Sequence, residues 1–441
     1  MSNDLERSTH VDRRPTTRRK ALIVGGGIGG PTAALALQRA GIEATVYEAY
    51  DEPSDYVGLF LNTASNGLDV LKTLDAHAPV IEDAFPAPRM VMWSGTGKRL
   101  GEVANGLRLP DGTVSVIVKR GRLQRALADE AVRRGIEVEY GKRLADFDAA
   151  TGGVVARFTD GTEATGDLLV GADGIHSRTR RILDPTAPKP AYTGLLSMGG
   201  FVHSSRIAPT PDVQHFVFGK RAFFGYLVRP SGEIYWFANL HRPDEPSHEE
   251  LAGISSDEWK QRLLDVFSGD IDVIGEIIEA TESELGAYPV HDIPTASTWH
   301  RGPVVLIGDA VHAVSPSAGQ GASLAMEDAL VVAKCLRDIP DTGRAFAAYE
   351  RLRRERAKKV VAYSRRIGNS KTAGPVARWF RDLMMPFALK HLASSDSFAW
   401  MYHHHIDWEE KVAAGGDDLT ARRSSAEHQH EHQPRPQQRL R

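Results

Sequence analysis

The sequence predicts an α/β fold: a Rossmann-like nucleotide-binding domain on a parallel sheet, interrupted by a mostly antiparallel β insertion and followed by C-terminal helices. Three observations predict it. Short apolar runs at Ala21 to Val24, Ala44 to Tyr47 and Val304 to Ile307, with a fourth in DLLV from Asp167, have the length of buried strands. Glycine turns and helical patterns follow three of these runs. From about Pro185 to Ile293 the pattern changes to strands rich in aromatic residues. The resulting boundaries are 18–85, 105–184 and 296–370 for a discontinuous nucleotide-binding domain. Segments 86–104 and 185–295 form a substrate domain, 371–413 the C-terminal helices, and 1–17 and 414–441 a disordered arm and tail.

The first strand runs into Gly25-x-Gly27-x-x-Gly30 and a small-residue helix through Ala33, Ala34, Leu37 and Ala40. Glu48 ends the next strand, about twenty residues on, the spacing of a carboxylate that holds a ribose. The glycine pattern alone is weak, but strand, glycine turn, helix, strand and acid in that order indicate a dinucleotide. Leu61 to Leu74 reads as a helix. Val114 to Val118 is a β-branched strand introducing a helix over Arg120 to Arg133.

In DLLVGADGIHS, Gly171, Asp173 and Gly174 sit at a turn, followed by Ser177, Arg178 and Arg181. In GDAVHAVSPSAGQGASLAMED, Asp309 sits at a strand's carboxyl end, where open α/β sheets bind ligands. Gly319, Gln320 and Gly321 then open a helix, whose unpaired N–H groups and positive dipole end favour an anionic group.

These three motifs, in this order and at these spacings, resemble the FAD-dependent aromatic monooxygenases of the hydroxybenzoate and salicylate hydroxylase type, over roughly residues 20 to 365. The resemblance implies a Rossmann-like FAD-binding domain and non-covalent FAD. It implies cofactor contacts from Gly25, Gly27, Ile28, Gly29, Gly30, Glu48, Arg120, Leu144, Asp173, Asp309, Pro316, Gly319, Gln320, Gly321 and Ala322. Arg122 could replace Arg120, and either could be a solvated helix charge. Ser323 stands where the family usually has Asn, and Ala49 where a basic residue often follows the ribose acid. The implied activity uses NADPH or NADH, as a transient co-substrate, and dioxygen. It hydroxylates or epoxidises an electron-rich aromatic or olefinic small molecule through a flavin hydroperoxide.

Composition agrees with an enzyme of this kind. The 441 residues are 41% hydrophobic with a formal charge of -3, enough core for independent stability and no global attraction to nucleic acid. The single cysteine, Cys335, rules out a disulfide framework and reads as a half-buried small residue in a helix, fitting a cytoplasmic setting. Residues 1–20 lack an apolar targeting core, and charges interrupt the apolar stretch Trp379 to Trp400, so no membrane span is expected.

In the insertion, Phe216 to Phe218, Phe223 to Val228 and Ile234 to Leu240 are strands, with a hairpin turn at Arg229 to Gly232. Alternation puts Phe224, Tyr226 and Val228 on one face, Phe223 and Leu227 on the other. One face lines the substrate cavity, and Phe224, Tyr226 and His215 are the candidate contacts. No catalytic base can be singled out among His203, His215 and Tyr226, and His312 is a structural hydrogen-bonder. His403 to His405 lack accompanying ligands at metal-binding spacing, so no metal site is expected. No second GxGxxG and no cysteine pair are present, unlike in disulfide reductases. A flavin dehydrogenase, a halogenase and a non-catalytic flavin-binding protein are the alternatives; the halogenase WxWxIP segment is missing.

Overall fold

The structure, a computed structural model, describes residues 18–52, 58–150, 152–293, 296–370, 380, 382–387, 389 and 398–413. The arm 1–17, the tail 414–441 and half of the stretch Trp379 to Trp400 lie outside the described residues.

One layer is a six-stranded sheet in the order His300–Arg301, Val304–Leu306, Leu168–Gly171, Lys20–Val24, Glu43–Tyr47, Glu137–Glu139. Every neighbouring pair is parallel except the first. Lys20–Val24 lies in the middle, and the chain leaves it first toward Glu43–Tyr47 and later returns on the other side. That reversal opens a crevice at the strands' carboxyl ends. Glu48 and Asp309 flank the crevice three strand spacings apart, roughly 14 Å, a separation one extended dinucleotide can bridge. Two helices pack edge to edge above it, Gly29–Arg39 and Gly321–Asp338. A side chain at Gly29 would already touch the Ala325 methyl, at 3.6 Å, so small residues let the two helix starts converge.

A seven-stranded sheet combines Tyr288–Asp292, Ala191–His203, Glu233–His241, Ala222–Val228, Val213–Phe218, Arg89–Ser94 and Arg99–Ala104, in that order. It is antiparallel except where Val213–Phe218 meets Arg89–Ser94. Helices Ser256–Val266 and Asp272–Ala280 cover one face, burying Phe224, Tyr226, Trp236, Trp259, Leu263 and Ile277 in a core of their own. The opposite face carries Phe216, Phe223 and Phe237 and turns toward strand Phe60–Thr63, where Phe60 lies 5.9 Å from the Phe237 ring.

A buried charge cluster ties the Gly321–Asp338 helix to the Thr342–Ser370 helix and to the segment after Val304–Leu306. Glu327 and Asp328, on the Gly321–Asp338 helix, have no solvent exposure. Arg353 bridges them at 2.7 Å to each, Arg356 adds a second partner for Glu327, and His312 bonds Asp328 at 2.6 Å. Burial alone would push both carboxyls up, but Arg353 and Arg356 hold Glu327 down at about 2, and His312 and Arg353 hold Asp328 below the usual carboxylate range.

Some expectations are corrected. Leu61 to Leu74 is not one helix: Phe60–Thr63 is a strand paired antiparallel with Val116–Lys119, and the helix begins at Ser65. Pairing with an existing strand overrides the helical spacing. Cys335 is fully buried rather than half-buried, and its thiol is pushed up to about 12 by desolvation. Arg229, at the start of the hairpin turn, pairs with Asp83 and Glu233 at 3.3 Å.

Acid sensitivity follows from the buried titrating groups. Burial holds His215 and His404 down at about 4, so the stability gained by keeping them neutral is complete above about pH 6.5 and drains away between there and pH 4. The depressed Glu327 and Asp328 act in the same direction at lower pH: their contribution is present above about pH 4 and is lost as pH falls through their folded values. Thermal unfolding followed by circular dichroism should show a Tm flat from about pH 7 to 8, declining below 6.5 and collapsing below 4; a flat Tm from pH 7 to 4 would contradict this.

Candidate functional site: a dinucleotide cleft facing an aromatic sheet

The first wall is the glycine turn after Lys20–Val24. Gly25 has φ of +111°, and a Cβ on Gly30 would stand 1.8 Å from the Gly25 carbonyl oxygen, so this turn closes only with glycine at both positions. Glu48 is buried against it. One carboxylate oxygen accepts from the Gly26 N–H at 2.5 Å and the other from the Tyr50 N–H at 3.0 Å. The acid therefore braces the turn as well as facing the cleft. Gly141 and Lys142 donate to the carbonyls of Tyr50 and Glu48, which lays the 141–144 segment beside the acid. Leu144 itself points into the core, leaving its backbone as the part near the cleft.

The second wall is the segment after Val304–Leu306. Gly308, with φ of +57°, donates its N–H to Asp328 Oδ2 at 2.9 Å, and a Cβ there would press on Ala325 at 2.8 Å. Asp309 follows. Burial pushes its carboxyl up, partly opposed by Arg120 and His312, so Arg120 and Asp309 share one electrostatic environment although they lie far apart in sequence. Arg122 pairs instead with Asp83 at 3.7 Å, which favours Arg120 of the two candidates as the cleft residue. Pro316–Ala318 forms one tight turn, tied down by Ser364, and Gly319 turns left-handed at φ of +60° to start the helix. Asn62 packs on Gly319, while Asn66 donates to Gln320 at 3.1 Å and to Glu327 at 2.6 Å.

Asp173 is placed differently from its neighbours. Its carboxylate accepts from the Ser177 hydroxyl at 2.5 Å and from the Thr179 N–H and hydroxyl at 2.9 Å, so it locks its own turn. Arg180, which sequence reasoning passed over, is buried there and donates to the carbonyls of Ala310 and Ile175, stitching the Asp173 turn to the Asp309 segment. Gln124, also passed over, donates to the Gly26 carbonyl at 3.1 Å. Neither had a signal beyond its place on an amphipathic helix.

The candidate substrate residues are not brought to the cleft. Phe224 stacks on Trp236 beneath the covering helices, and His215 lies between Trp93 and Tyr226 on that same face, accepting from the Trp93 indole at 2.9 Å. Strand pairing explains it: His215 stands opposite Tyr226, and Val217 opposite Phe224. The face toward the cleft is the alternate set. His403 to His405 diverge as well: His404 bonds Arg353 and His405 bonds Asp69.

FAD fits what these residues leave open. The helices at Gly29 and Gly321 have no side-chain cap and no acid in their first turns, whereas those after Ser177, Ser247 and Ser255 are capped by their serines. A Cβ on Gly27 would meet no atom within 4 Å, and one on Gly321 only Asp309, at 3.9 Å. Two uncapped helix dipoles aimed into clear space suit the phosphates at one and the electron-accepting ring edge at the other. Gly27, whose φ is not positive, gives a clean test. Gly27→Ala should leave the apoprotein Tm unchanged yet weaken FAD binding about tenfold to a hundredfold, by displacing a charged hydrogen bond. Flavin fluorescence titration reads the binding; an unaltered Kd would remove Gly27 from the cradle.

Comparison with known proteins agrees. The family model described as "FAD binding domain" matches residues 18–364. The aurachin C monooxygenase/isomerase of Stigmatella aurantiaca is 32% identical over 82% of this chain and 93% of its own length. The FAD-dependent urate hydroxylase of Klebsiella pneumoniae is 32% identical over 82% of this chain and 94% of its own. A crystal structure of Klebsiella pneumoniae HpxO with FAD and uric acid superposes with a TM-score of 0.77 at 27% identity, covering 87% of this chain and 97% of that one. The chain therefore belongs to the FAD-binding-domain family of FAD-dependent monooxygenases.

Proposed function

We propose that this protein uses NAD(P)H and dioxygen to hydroxylate or epoxidise an electron-rich aromatic or olefinic small molecule, held between the Gly319 to Ala322 helix start and the Phe216/Phe237 face of the seven-stranded sheet. The observation that carries the reading is the strand Phe60–Thr63, which joins the two. Phe60 packs on Phe201, Tyr235 and Phe237, and Asn62, two residues on and on the same face, packs on Gly319. The aromatic wall and the anion-stabilising helix end therefore border one space.

Bound FAD supplies the transfer of two electrons from nicotinamide and the activation of dioxygen. The chain's own residues set the surroundings. The helix dipole at Gly321 favours negative charge at its entrance, and Arg120 adds a positive charge to the same environment as Asp309. The aromatic wall excludes water from the reacting side. Facing it are the phenols of Tyr235, raised by burial to about 12, and Tyr288, raised as well. Neither accepts a proton at neutral pH, and the buried His215 lies on the far face, so reactivity rests on the electron richness of the substrate. The Stigmatella relative is a monooxygenase and the Klebsiella relative a hydroxylase, which favours oxygen transfer over simple dehydrogenation. No helix among the described residues is long and apolar enough to cross a membrane. The single cysteine fits a cytoplasmic setting.

With the purified flavoprotein, a panel of phenols, indoles and aryl acids should include one that accelerates NAD(P)H oxidation and gains one atom from labelled dioxygen. Product without label selects a dehydrogenase. No acceleration by any aromatic or olefinic compound selects a non-catalytic flavin protein.

A further inference from the structure

The cleft-facing side of the seven-stranded sheet is apolar across its four central strands. From Arg89–Ser94 through Val213–Phe218 and Ala222–Val228 to the Tyr235–Asn239 part of Glu233–His241, strand pairing puts no Asp, Glu, Lys, Arg or His on that side. Two of its polar groups are engaged within the wall or at its edge: Asn239 donates to the Ser197 hydroxyl at 3.2 Å, and Tyr235 accepts from Arg229 at 3.0 Å. The charges that flank the patch are paired elsewhere. Glu233 meets Lys119 and Arg229, Asp292 meets Arg365, and Arg221 bonds Asp265 beyond the sheet edge.

Within this patch Met92, Phe216 and Phe237 are only half-buried, although the sheet around them is closed. Gly225 shapes the wall, because a Cβ there would strike the Phe237 ring at 2.3 Å; glycine lets that ring lie flat across the neighbouring strand. Met385 packs on the patch from the C-terminal segment and Leu389 lies over Gly101, so its outer rim is apolar too. Half-exposed aromatic and thioether groups at the inner end of a cleft are surface that a ligand would cover. A carboxylate placed against Met92, Phe216 and Phe237 would lose its hydration with no charged side chain of these strands to replace it, because the cations over the Tyr235 ring, Lys119 and Arg229, are already paired with Glu233 and Asp83.

We propose that the substrate is an uncharged, lipophilic aromatic or olefinic molecule, selected by Met92, Phe216 and Phe237. This rests on the oxygenase reading above and narrows it, since an aryl acid or another anionic ring is disfavoured. Apolar substituents bind against the patch while the ring to be oxidised points toward Gly319.

The test uses the full chain with FAD bound and reads perturbation of the flavin absorption spectrum, which requires binding but not turnover. Para-pentylphenol should perturb the spectrum at a concentration at least about tenfold below that needed for para-hydroxybenzoate, since each buried methylene favours the alkyl ring. Phe216→Ala and Met92→Ala, accepted only if flavin content and Tm match the parent, should each weaken para-pentylphenol several-fold and leave the benzoate unchanged. Equal or tighter binding of the benzoate overturns the proposal, as does an unaltered alkylphenol affinity in both variants. Alkylphenol binding without labelled product leaves the substrate class standing and removes the oxygenase reading. Labelled hydroxylation confined to the aryl acid does the reverse.

Discussion

The rest of the site depends on two carboxylates that have no access to water. Glu327 and Asp328 follow one another in a helix and so point in different directions, and each needs its own positive partner. Arg353 spans both, with Arg356 and His312 completing the sets. Apolar residues of the same volume could match this cluster in stability. It could not do what the carboxylates do with their remaining lone pairs. Asp328 accepts the Gly308 N–H at the turn into Asp309, and Glu327 accepts the Asn66 amide from the helix after Phe60–Thr63. One pair of residues thus sets the distance between the strand end, the helix start and the strand that carries Phe60.

That arrangement explains why the Gly321–Asp338 helix can leave its N-terminus without a cap. An unsatisfied helix end is costly when buried, and at three other helices of this molecule a serine supplies a missing acceptor. Here the helix is anchored from within, through Glu327 and Asp328, so its first turn can be left for a ligand. The same logic applies at Gly29, where Glu48 braces the turn from outside and the first turn carries no acid. Both uncapped ends are held by carboxylates that act on backbone N–H groups of neighbouring glycines rather than on the helix itself.

Much of this was legible in sequence, because the glycines and acids of the cleft act locally. Gly25, Gly30, Gly308 and Gly319 occupy positions where a side chain would clash or φ is positive, and such positions leave their mark in the spacing of the residues alone. Strands Lys20–Val24 and Glu43–Tyr47 are buried on both faces and read as continuous apolar runs. What stayed hidden depends on residues remote in the chain. Arg353 and Arg356 look like any charges on a long amphipathic helix until Glu327 is placed beside them. Phe60–Thr63 shows helical spacing, and only its pairing with Val116–Lys119 makes it a strand.

The two faces of the aromatic sheet show the limit most clearly. Alternation assigned Phe224 and Tyr226 to one side and Phe223 and Leu227 to the other, but both sides are equally apolar, so periodicity could not say which faces the cleft. The deciding residues are the helices that come later, whose Trp259, Leu263 and Ile277 consume the Phe224 side as core. A face fully covered by its own domain's helices has no area left for a ligand. The other side keeps Phe216 and Phe237 half-buried at the point where Phe60 brings the nucleotide cleft against them. Substrate recognition therefore falls to residues whose burial is left incomplete by the protein itself, and the absence of charge among them restricts what can complete it.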